Sequence, residues 1–222
     1  MSWITILPAS ALFLTAFPFA EGKERGFRFV KGDLGKVPSG WKATQTNKGQ
    51  GSVWKVVADA SAPSKTGLAL AQTAAGPKKV FNLCVAEDSS FKDGEISVHF
   101  KAIKGKEDQG GGIVWRSQDA NNYYVARMNP LENNYRLYKV VDGQRMQLET
   151  TKDNVKVAVG EWHKLTIRHV GDKIECFLDD TKLLEGKDNA IAAAGKVGLW
   201  TKADAQTYFD NFIVIGKKDG TR

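Results

Sequence analysis

Apolar and polar residues alternate along most of the chain from residue 53 onward. In segment 95–102, the isoleucine, valine, phenylalanine and alanine fall on every second position, with polar residues between them. Segment 163–169 repeats the pattern, and comparable segments recur up to residue 215. A period of two places successive side chains on opposite faces of a β-strand. The pattern therefore predicts an all-β protein whose strands each bury one face.

Turn-forming pairs separate these segments. Asp142-Gly143 is a strong signal for a type I′ hairpin, and Asp93-Gly94 and Gly171-Asp172 also favour turns. Short strands with frequent turns indicate a sandwich or a barrel. Only residues 189–194 have a helix-like composition, and residues 31–52, rich in Gly, Lys, Ser and Pro, are predicted to form a long loop. We expect one β-sandwich domain over residues 21–222.

The first twenty residues differ from the rest of the chain. Residues 1–20 contain no Asp, Glu, Lys or Arg, and charge begins at Glu21. This composition predicts a signal peptide with a cleavage site after Ala16 or Ala20, although the basic n-region is missing. The alternatives are an uncleaved membrane anchor and a buried N-terminal segment. We expect export to the periplasm, the cell surface or the medium, with no membrane association after cleavage.

The composition gives the chain a net positive charge. The 222 residues include 32 Lys and Arg against 25 Asp and Glu, a net charge of +7. The lysines are dispersed, adjacent only at Lys78-Lys79 and Lys217-Lys218, whereas nucleic-acid sites cluster their basic residues. We therefore expect no nucleic-acid partner, and we expect a monomer. Two cysteines and three histidines argue against a disulfide-held scaffold and a Cys/His zinc site.

The two cysteines leave one question open. Phe81, Leu83 and Val85 alternate as an apolar set, which places Cys84 on the opposite face, whereas Cys176 belongs to an apolar set of its own strand. Different kinds of face argue against a Cys84–Cys176 disulfide. Export to an oxidising compartment favours one.

Several motifs resemble a known group of folds. Residues 110–116 (GGGIVWR) and 121–127 (NNYYVAR) are similar to the central hairpin of concanavalin A-like jelly rolls. Further similar runs are 38–41, 53–56, 161–167, 171–174, 195–200 and 208–214. Over residues 27–215 the chain most resembles exported bacterial domains grouped with 3-keto-disaccharide hydrolases, and more distantly laminin G-like and family 16 glycoside hydrolase domains. The resemblance implies a jelly-roll β-sandwich of two antiparallel sheets with a carbohydrate-related function.

Four kinds of catalytic or phosphate-binding motif are missing from the sequence. A family 16 glucanase needs carboxylates spaced as E-x-D-x-E on one strand. The nearest segment, 175–180, lacks the last Glu, and its Asp179-Asp180 pair fits a hairpin turn better. The chain also has no G-x-S-x-G elbow, no H-E-x-x-H and no phosphate-binding glycine loop.

The central hairpin is the best candidate for a ligand site. Strict alternation places Arg116, Tyr123 and Arg127 on one surface, with Asn129 and Glu132 just beyond. Sugar sites combine aromatic faces with forked hydrogen-bond donors, and these residues supply both. We expect this surface to bind a glycan or sugar derivative. The alternative is that the arginines only pair with carboxylates across strands, and one β-bulge would exchange the faces.

The resemblance also implies an enzymatic alternative, a hydrolase of the 3-keto-disaccharide type. In similar hydrolase-type domains the arginine often follows Asn-Ser-Gly-Ile, whereas this chain has residues 110–113 as Gly-Gly-Gly-Ile. That change removes two polar side chains and weakens the case for hydrolysis. Glu132, beside Arg127, would be the first carboxylate to test as a general base.

A structural calcium ion is the one cofactor that we consider. Asp33 follows the first strand and Asp210 lies in the last, and the first and last strands of a jelly roll commonly lie close together. Two aspartates with nearby carbonyls could bind Ca²⁺. The alternative is that Asp210 caps a turn or accepts hydrogen bonds from backbone N–H groups.

Overall fold

A computed structural model describes residues 22–216, so the predicted signal peptide lies outside the described residues. The described residues form fifteen strands and one 3-10 turn, Lys31–Asp33. The first eight strands are β1 (Lys23–Phe27), β2 (Trp41–Thr46), β3 (Trp54–Ala58), β4 (Leu68–Gln72), β5 (Phe81–Phe91), β6 (Gly94–Lys104), β7 (Gly111–Asp119) and β8 (Asn122–Asn129). The other seven are β9 (Asn134–Val141), β10 (Gln144–Thr150), β11 (His163–Val170), β12 (Lys173–Leu178), β13 (Thr181–Lys187), β14 (Gly195–Lys202) and β15 (Gln206–Gly216). Between residues 22 and 216, no helix is long and apolar enough to cross a membrane.

The strands pair into two antiparallel sheets. The front sheet has seven strands in the order β10-β9-β8-β7-β14-β5-β2. The back sheet has the order β13-β12-β11-β6-β15-β4-β3, and β1 pairs with the C-terminal half of β15. Neighbours that are distant in sequence, such as β6 beside β15, are typical of a jelly roll. The all-β prediction and the jelly-roll sandwich of two antiparallel sheets are confirmed.

The main core lies between the sheets. Ile96, Val98 and Phe100 are at most 1% exposed, which confirms the alternation predicted for this strand. The front sheet contributes Trp115 and Tyr124, whose rings stack with centroids 5.6 Å apart. Burial of such large apolar surfaces is the main force that holds two sheets together.

Two hairpin turns form as their sequences predict. Asp142 and Gly143, between β9 and β10, have φ angles of 51° and 75°. Asp179 and Asp180, between β12 and β13, have φ angles of 46° and 64°. Positive φ at both central residues is the conformation of a type I′ turn, whose twist matches that of the flanking strands. The second turn confirms that the aspartate pair belongs to a hairpin.

Two local predictions are wrong. Residues 31–52 are not one long loop, because they include β2, which pairs with β5 at the edge of the front sheet. Trp41 holds this strand to the core through ring contacts with Phe27 (5.3 Å) and Phe212 (5.6 Å). Residues 189–194 form no helix and are irregular. In both cases tertiary contacts outweigh local composition.

Both cysteines are free and buried. Cys84 on β5 and Cys176 on β12 belong to the same core between the sheets. The prediction that they occupy different kinds of face is therefore wrong. It failed because the neighbours of Cys84 on the opposite face, such as Leu83, are buried too, in a second cluster.

Candidate functional site

The outward face of the front sheet carries this second apolar cluster. Its members alternate along their strands with residues that face the back sheet, so the front sheet is buried on both sides. All are at most 6% exposed. They are Phe81, Leu83, Val114, Tyr123, Val125, Tyr138, Val140 and Trp200.

Coiling of the sheet closes part of this face. Thr46, at the end of β2, has its Oγ1 2.8 Å from the hydroxyl of Tyr123 on β8, although three strands separate β2 from β8 in the sheet. The same Oγ1 donates to the Ala120 carbonyl at 2.6 Å, and Trp200 Nε1 donates to the Tyr123 hydroxyl at 3.3 Å. Burial raises the pKa of Tyr123 well above its ordinary value. Tyr123 thus contacts its own chain and presents no ring face to solvent.

Arg116 does not share a surface with Tyr123 and Arg127. The pairing of β7 with β8 shifts register between Trp115 and Asp119, and Arg116 has a φ of 45°. This bulge turns the buried guanidinium toward one end of the sandwich, where it donates to the Asp93 carboxylate (3.2 Å) and to three backbone carbonyls. The carbonyls belong to Lys92, Ile191 and Gly171, at 2.9, 3.0 and 3.1 Å. Arg116 therefore ties together turns of the sandwich.

A polar group remains at the other end of the β7–β8 hairpin. We call it the arginine rim, and it consists of Arg127, Glu132, Arg136, Tyr138 and Arg145. Arg127 and Arg136 are cross-strand partners on β8 and β9. Both bind Glu132 Oε2, at 2.8 Å from Arg127 Nη2 and 3.3 Å from Arg136 Nη1. The side chains of Glu132 and Arg136 are 38% and 31% exposed, whereas Arg127 and Tyr138 are buried, so the rim is open to solvent only at its outer residues.

Tyr138 lies at the centre of the arginine rim. Its hydroxyl accepts hydrogen bonds from Arg136 Nη1 (3.4 Å) and Arg127 Nη2 (3.5 Å). The guanidinium carbon of Arg145 lies 4.4 Å from the centroid of the Tyr138 ring. It also lies 5.1 Å from the Phe81 ring and 5.9 Å from the Trp200 ring. Cation–π attraction to these faces fixes the Arg145 side chain.

Two donors of the rim have no hydrogen-bond partner among the described residues. They are Arg145 Nη1 and Arg127 Nε, and both atoms are buried. A buried donor without an acceptor loses hydration and gains nothing in return. Such donors favour the arrival of an acceptor oxygen from water or from a ligand.

Asn129 positions this group and is itself fully buried. Its Oδ1 accepts from the backbone N–H of Leu131 (2.9 Å) and of Glu132 (3.3 Å), and its Nδ2 donates to Asp108 Oδ1 (2.9 Å). Asp108 in turn pairs with Lys202 Nζ at 2.8 Å. The asparagine thus fixes the turn that carries Glu132 and is closed to direct contact from solvent.

Glu132 is an ion-paired carboxylate. Partial burial alone would raise its pKa, but the hydrogen bond and charge of Arg127, with smaller contributions from Asn134 and Arg136, lower the pKa to about 2. A carboxylate with so low a pKa holds a proton poorly at neutral pH, which weakens it as a general base.

Asp33 and Asp210 have separate roles in the structure. Asp33 Oδ2 accepts from the Val30 backbone N–H (3.1 Å) at the start of the 3-10 turn. Asp210 is buried, and its Oδ2 accepts from the Ser64 backbone N–H (2.8 Å). In the part of the chain that the structure describes, no group of three or more His, Cys, Asp or Glu side chains could hold a metal ion. The calcium site stays a prediction.

Sequence reasoning missed Arg136, Tyr138 and Arg145. Alternation on β9 does place Arg136 and Tyr138 on one face, opposite Arg127 and Val125 of β8. The type I′ turn fixes the register of β10, so that Arg145 lies opposite Val140. The sequence pattern could therefore have indicated the positions of these residues. It could not have indicated that Arg145 stacks on rings from distant strands.

Steric constraints explain why glycines precede Arg116 in the sequence. Gly110 has a φ of 82°, which favours glycine. A Cβ on Gly111 would collide with the Trp200 carbonyl oxygen of β14 and with the Phe209 ring of β15. Packing therefore accounts for the loss of polar side chains at these positions.

The fold and its two buried faces define a jelly roll of the concanavalin A-like class. Within that class, the sequence model for the 3-keto-alpha-glucoside-1,2-lyase-like domain matches residues 33–215. The chain belongs to this family. Among curated protein sequences, none matches the chain.

Solved structures share the fold at low sequence identity. The carbohydrate-binding module CBM66 from Bacillus subtilis is 20% identical, with a TM-score of 0.60 over 79% of this chain and 95% of that one. A GH16 protein of the Bacteroides ovatus mixed-linkage glucan locus is 12% identical, with a TM-score of 0.59 over 87% and 99%. Domain 4 of AbnA, a GH43 extracellular arabinanase from Geobacillus stearothermophilus, in complex with arabinotriose, is 14% identical, with a TM-score of 0.56 over 89% and 94%. At these identities the likeness establishes the fold.

Proposed function

We propose that this domain binds a glycan or sugar derivative at the arginine rim. The observation that carries the proposal is the group of three arginines around Tyr138, which opens to solvent at Arg136 and Glu132 and holds two buried donors that lack partners. Guanidinium groups offer forked donors to sugar oxygens. A carbohydrate-binding module and an arabinotriose complex among the structural neighbours support a sugar ligand.

The proposal moves the site from the one expected from sequence. Arg127 remains in it, and Asn129 and Glu132 shape it, whereas Arg116 and Tyr123 are engaged elsewhere in the chain. We further propose that the domain acts outside the cytoplasm as a monomer, after removal of residues 1–20. The extracellular arabinanase among its structural neighbours is compatible with export.

Binding explains the rim better than catalysis does. Glu132 is its only carboxylate, and two arginines hold that carboxylate with a pKa of about 2. An effective base at neutral pH needs a pKa nearer to 7. The same arginines are well suited to holding a ligand, because ion pairing to Glu132 fixes their orientation.

Affinity measurements with paired variants test the proposal. We expect Arg136→Gln, which removes a solvent-open rim donor, to weaken glycan binding about tenfold, equivalent to roughly 1.4 kcal/mol. The control is Arg25→Gln, which breaks the exposed ion pair with Asp88 (2.6 Å) outside the rim. Glycan-array screening of the mature protein would identify the ligand first. Equal affinities of the two variants for that ligand, or no glycan binding at all, would contradict the proposal.

Family membership favours one alternative, cleavage of 3-keto-glycosides. In that case Glu132 would act as the base, its proton affinity rising when the substrate draws Arg127 away. Glu132→Gln would then lower turnover of a 3-keto-glucoside by about 10²–10⁴. Full turnover by this variant would exclude Glu132 as the base, and no turnover by the wild type on such substrates would leave binding as the function.

A further inference from the structure

We infer that the ligand of the arginine rim is an acidic sugar, one that carries a carboxylate or a sulfate group. This inference rests on the proposed function and adds the charge of the ligand to it. It starts from the charges of the rim, which contains three arginines and one carboxylate, that of Glu132, paired with Arg127 and Arg136.

Neighbouring acidic groups do not cancel this excess. Asp108 is a buried acid whose charge also acts on Arg136 and Arg145, but it is paired with Lys202 at 2.8 Å and accepts a hydrogen bond from Asn129. Glu132 is shared between Arg127 and Arg136 through one oxygen, Oε2. Arg145 forms no ion pair within the described part of the chain, where its contacts are with aromatic rings.

The guanidinium of Arg145 lies in an environment that disfavours its positive charge. The side chain is half-buried, and burial is the main cause that lowers its pKa, assisted by the charge of Arg127. Removing an ion from water is costly unless a counter-ion replaces the lost hydration. An anion beside the partly exposed Arg145 guanidinium would provide that replacement, whereas a neutral hydroxyl would carry no compensating charge.

The geometry of the donors agrees with an oxyanion. Arg145 Nη1 and Arg127 Nε are the two buried donors without partners, and they belong to different guanidinium groups that meet at Tyr138. A carboxylate or a sulfate has several oxygens on one centre and can accept from both partly exposed arginines beside Tyr138, Arg136 and Arg145. In a neutral sugar, by contrast, each donor would need a separate hydroxyl group in the right position.

The decisive experiment compares ligands that differ only in charge. We would measure, by isothermal titration calorimetry, binding of a panel of hexuronic acid oligomers and of their methyl esters, and of sulfated galactan oligomers and their desulfated forms. We expect an acidic form to bind about tenfold more tightly than its neutral form at low salt, with the difference shrinking when salt is raised severalfold. Comparison of the hexuronic acid oligomers with the sulfated galactan oligomers identifies which anion the rim binds.

Variants connect the preference to the rim. Arg145→Gln should reduce binding of the acidic form to the level of the neutral form, and Arg136→Gln, at a more exposed position, serves if the first variant fails to fold. Tighter or equal binding of neutral forms overturns the inference and leaves the proposed function standing. Absence of binding to every oligomer, acidic or neutral, overturns both. Charge preference that persists unchanged in both variants also overturns the inference, because it would place the anion elsewhere.

Discussion

Arg116 offers a sharp test of the reasoning, because sequence and structure give it different roles. The sequence favours an exposed ligand contact, whereas the structure buries the guanidinium to 1% exposure with four hydrogen bonds. Three of the acceptors are backbone carbonyls, which cannot find other partners without moving the turns. Arg116→Met keeps most of the volume of the side chain and removes all four bonds.

The expected loss follows from these contacts. A hydrogen bond to a charged donor contributes about 1.5–3 kcal/mol, and contributions within one network are not additive. Asp93 is 42% exposed and recovers hydration, so its share is small. We therefore expect Arg116→Met to lower the free energy of unfolding by about 3–5 kcal/mol. For a domain of this size that corresponds to a fall in Tm of about 10 °C.

The assay is urea and thermal unfolding of the mature protein, followed by circular dichroism. Arg25→Met, which removes an exposed ion pair, is the control and should change stability by less than about 1 kcal/mol. A loss below about 1 kcal/mol for Arg116→Met, or lost glycan binding with unchanged stability, would refute the structural role of Arg116.

Three further predictions concern other parts of the molecule. Because the pKa of Glu132 is lowered to about 2, its ion pairs stabilise the fold fully above the unfolded pKa of 4.5. Glu132→Gln should therefore cost about 1 kcal/mol at pH 7, after allowance for solvent screening. In urea titrations, this cost should shrink as the pH falls from about 5 to 2, and a difference independent of pH would contradict it. Gly112→Ala should lower stability by about 1–3 kcal/mol in thermal melts, because its Cβ meets backbone, while Gly32→Ala, in open space, should not. Cys84 and Cys176, with pKa values raised by burial, should resist a thiol reagent in the native protein and both react in guanidinium chloride. Failure of both to react after denaturation would indicate a disulfide.

Local signals predicted the framework well. The alternation in β6 and the Asp142-Gly143 turn depend on neighbours in sequence, and the structure reproduces both. The hydrophobic pattern of one face was sufficient to indicate a sandwich, since strands with an apolar face must bury it against another layer.

The site was harder to predict because it depends on contacts between distant residues. The bulge after Trp115 turned Arg116 away from the expected surface, and alternation alone does not reveal such an insertion. Coiling of the front sheet brought Thr46 to Tyr123 and covered that ring. Arg145 on β10 contacts the rings of Trp200 on β14 and Phe81 on β5, although three and four strands, respectively, lie between them and β10 in the sheet.

The arrangement around Arg116 bears on how this domain can diversify. One side chain of the front sheet fixes the β5–β6 turn, the β11–β12 turn and the segment near Ile191 at a single end of the sandwich. Insertions in any of these three connections would disturb the other two, so their lengths should be constrained together among descendants of this chain. The turn that carries Glu132, at the other end of the β7–β8 hairpin, has no such restraint from Arg116. New ligand preferences can therefore arise there while the closed end keeps the sandwich intact.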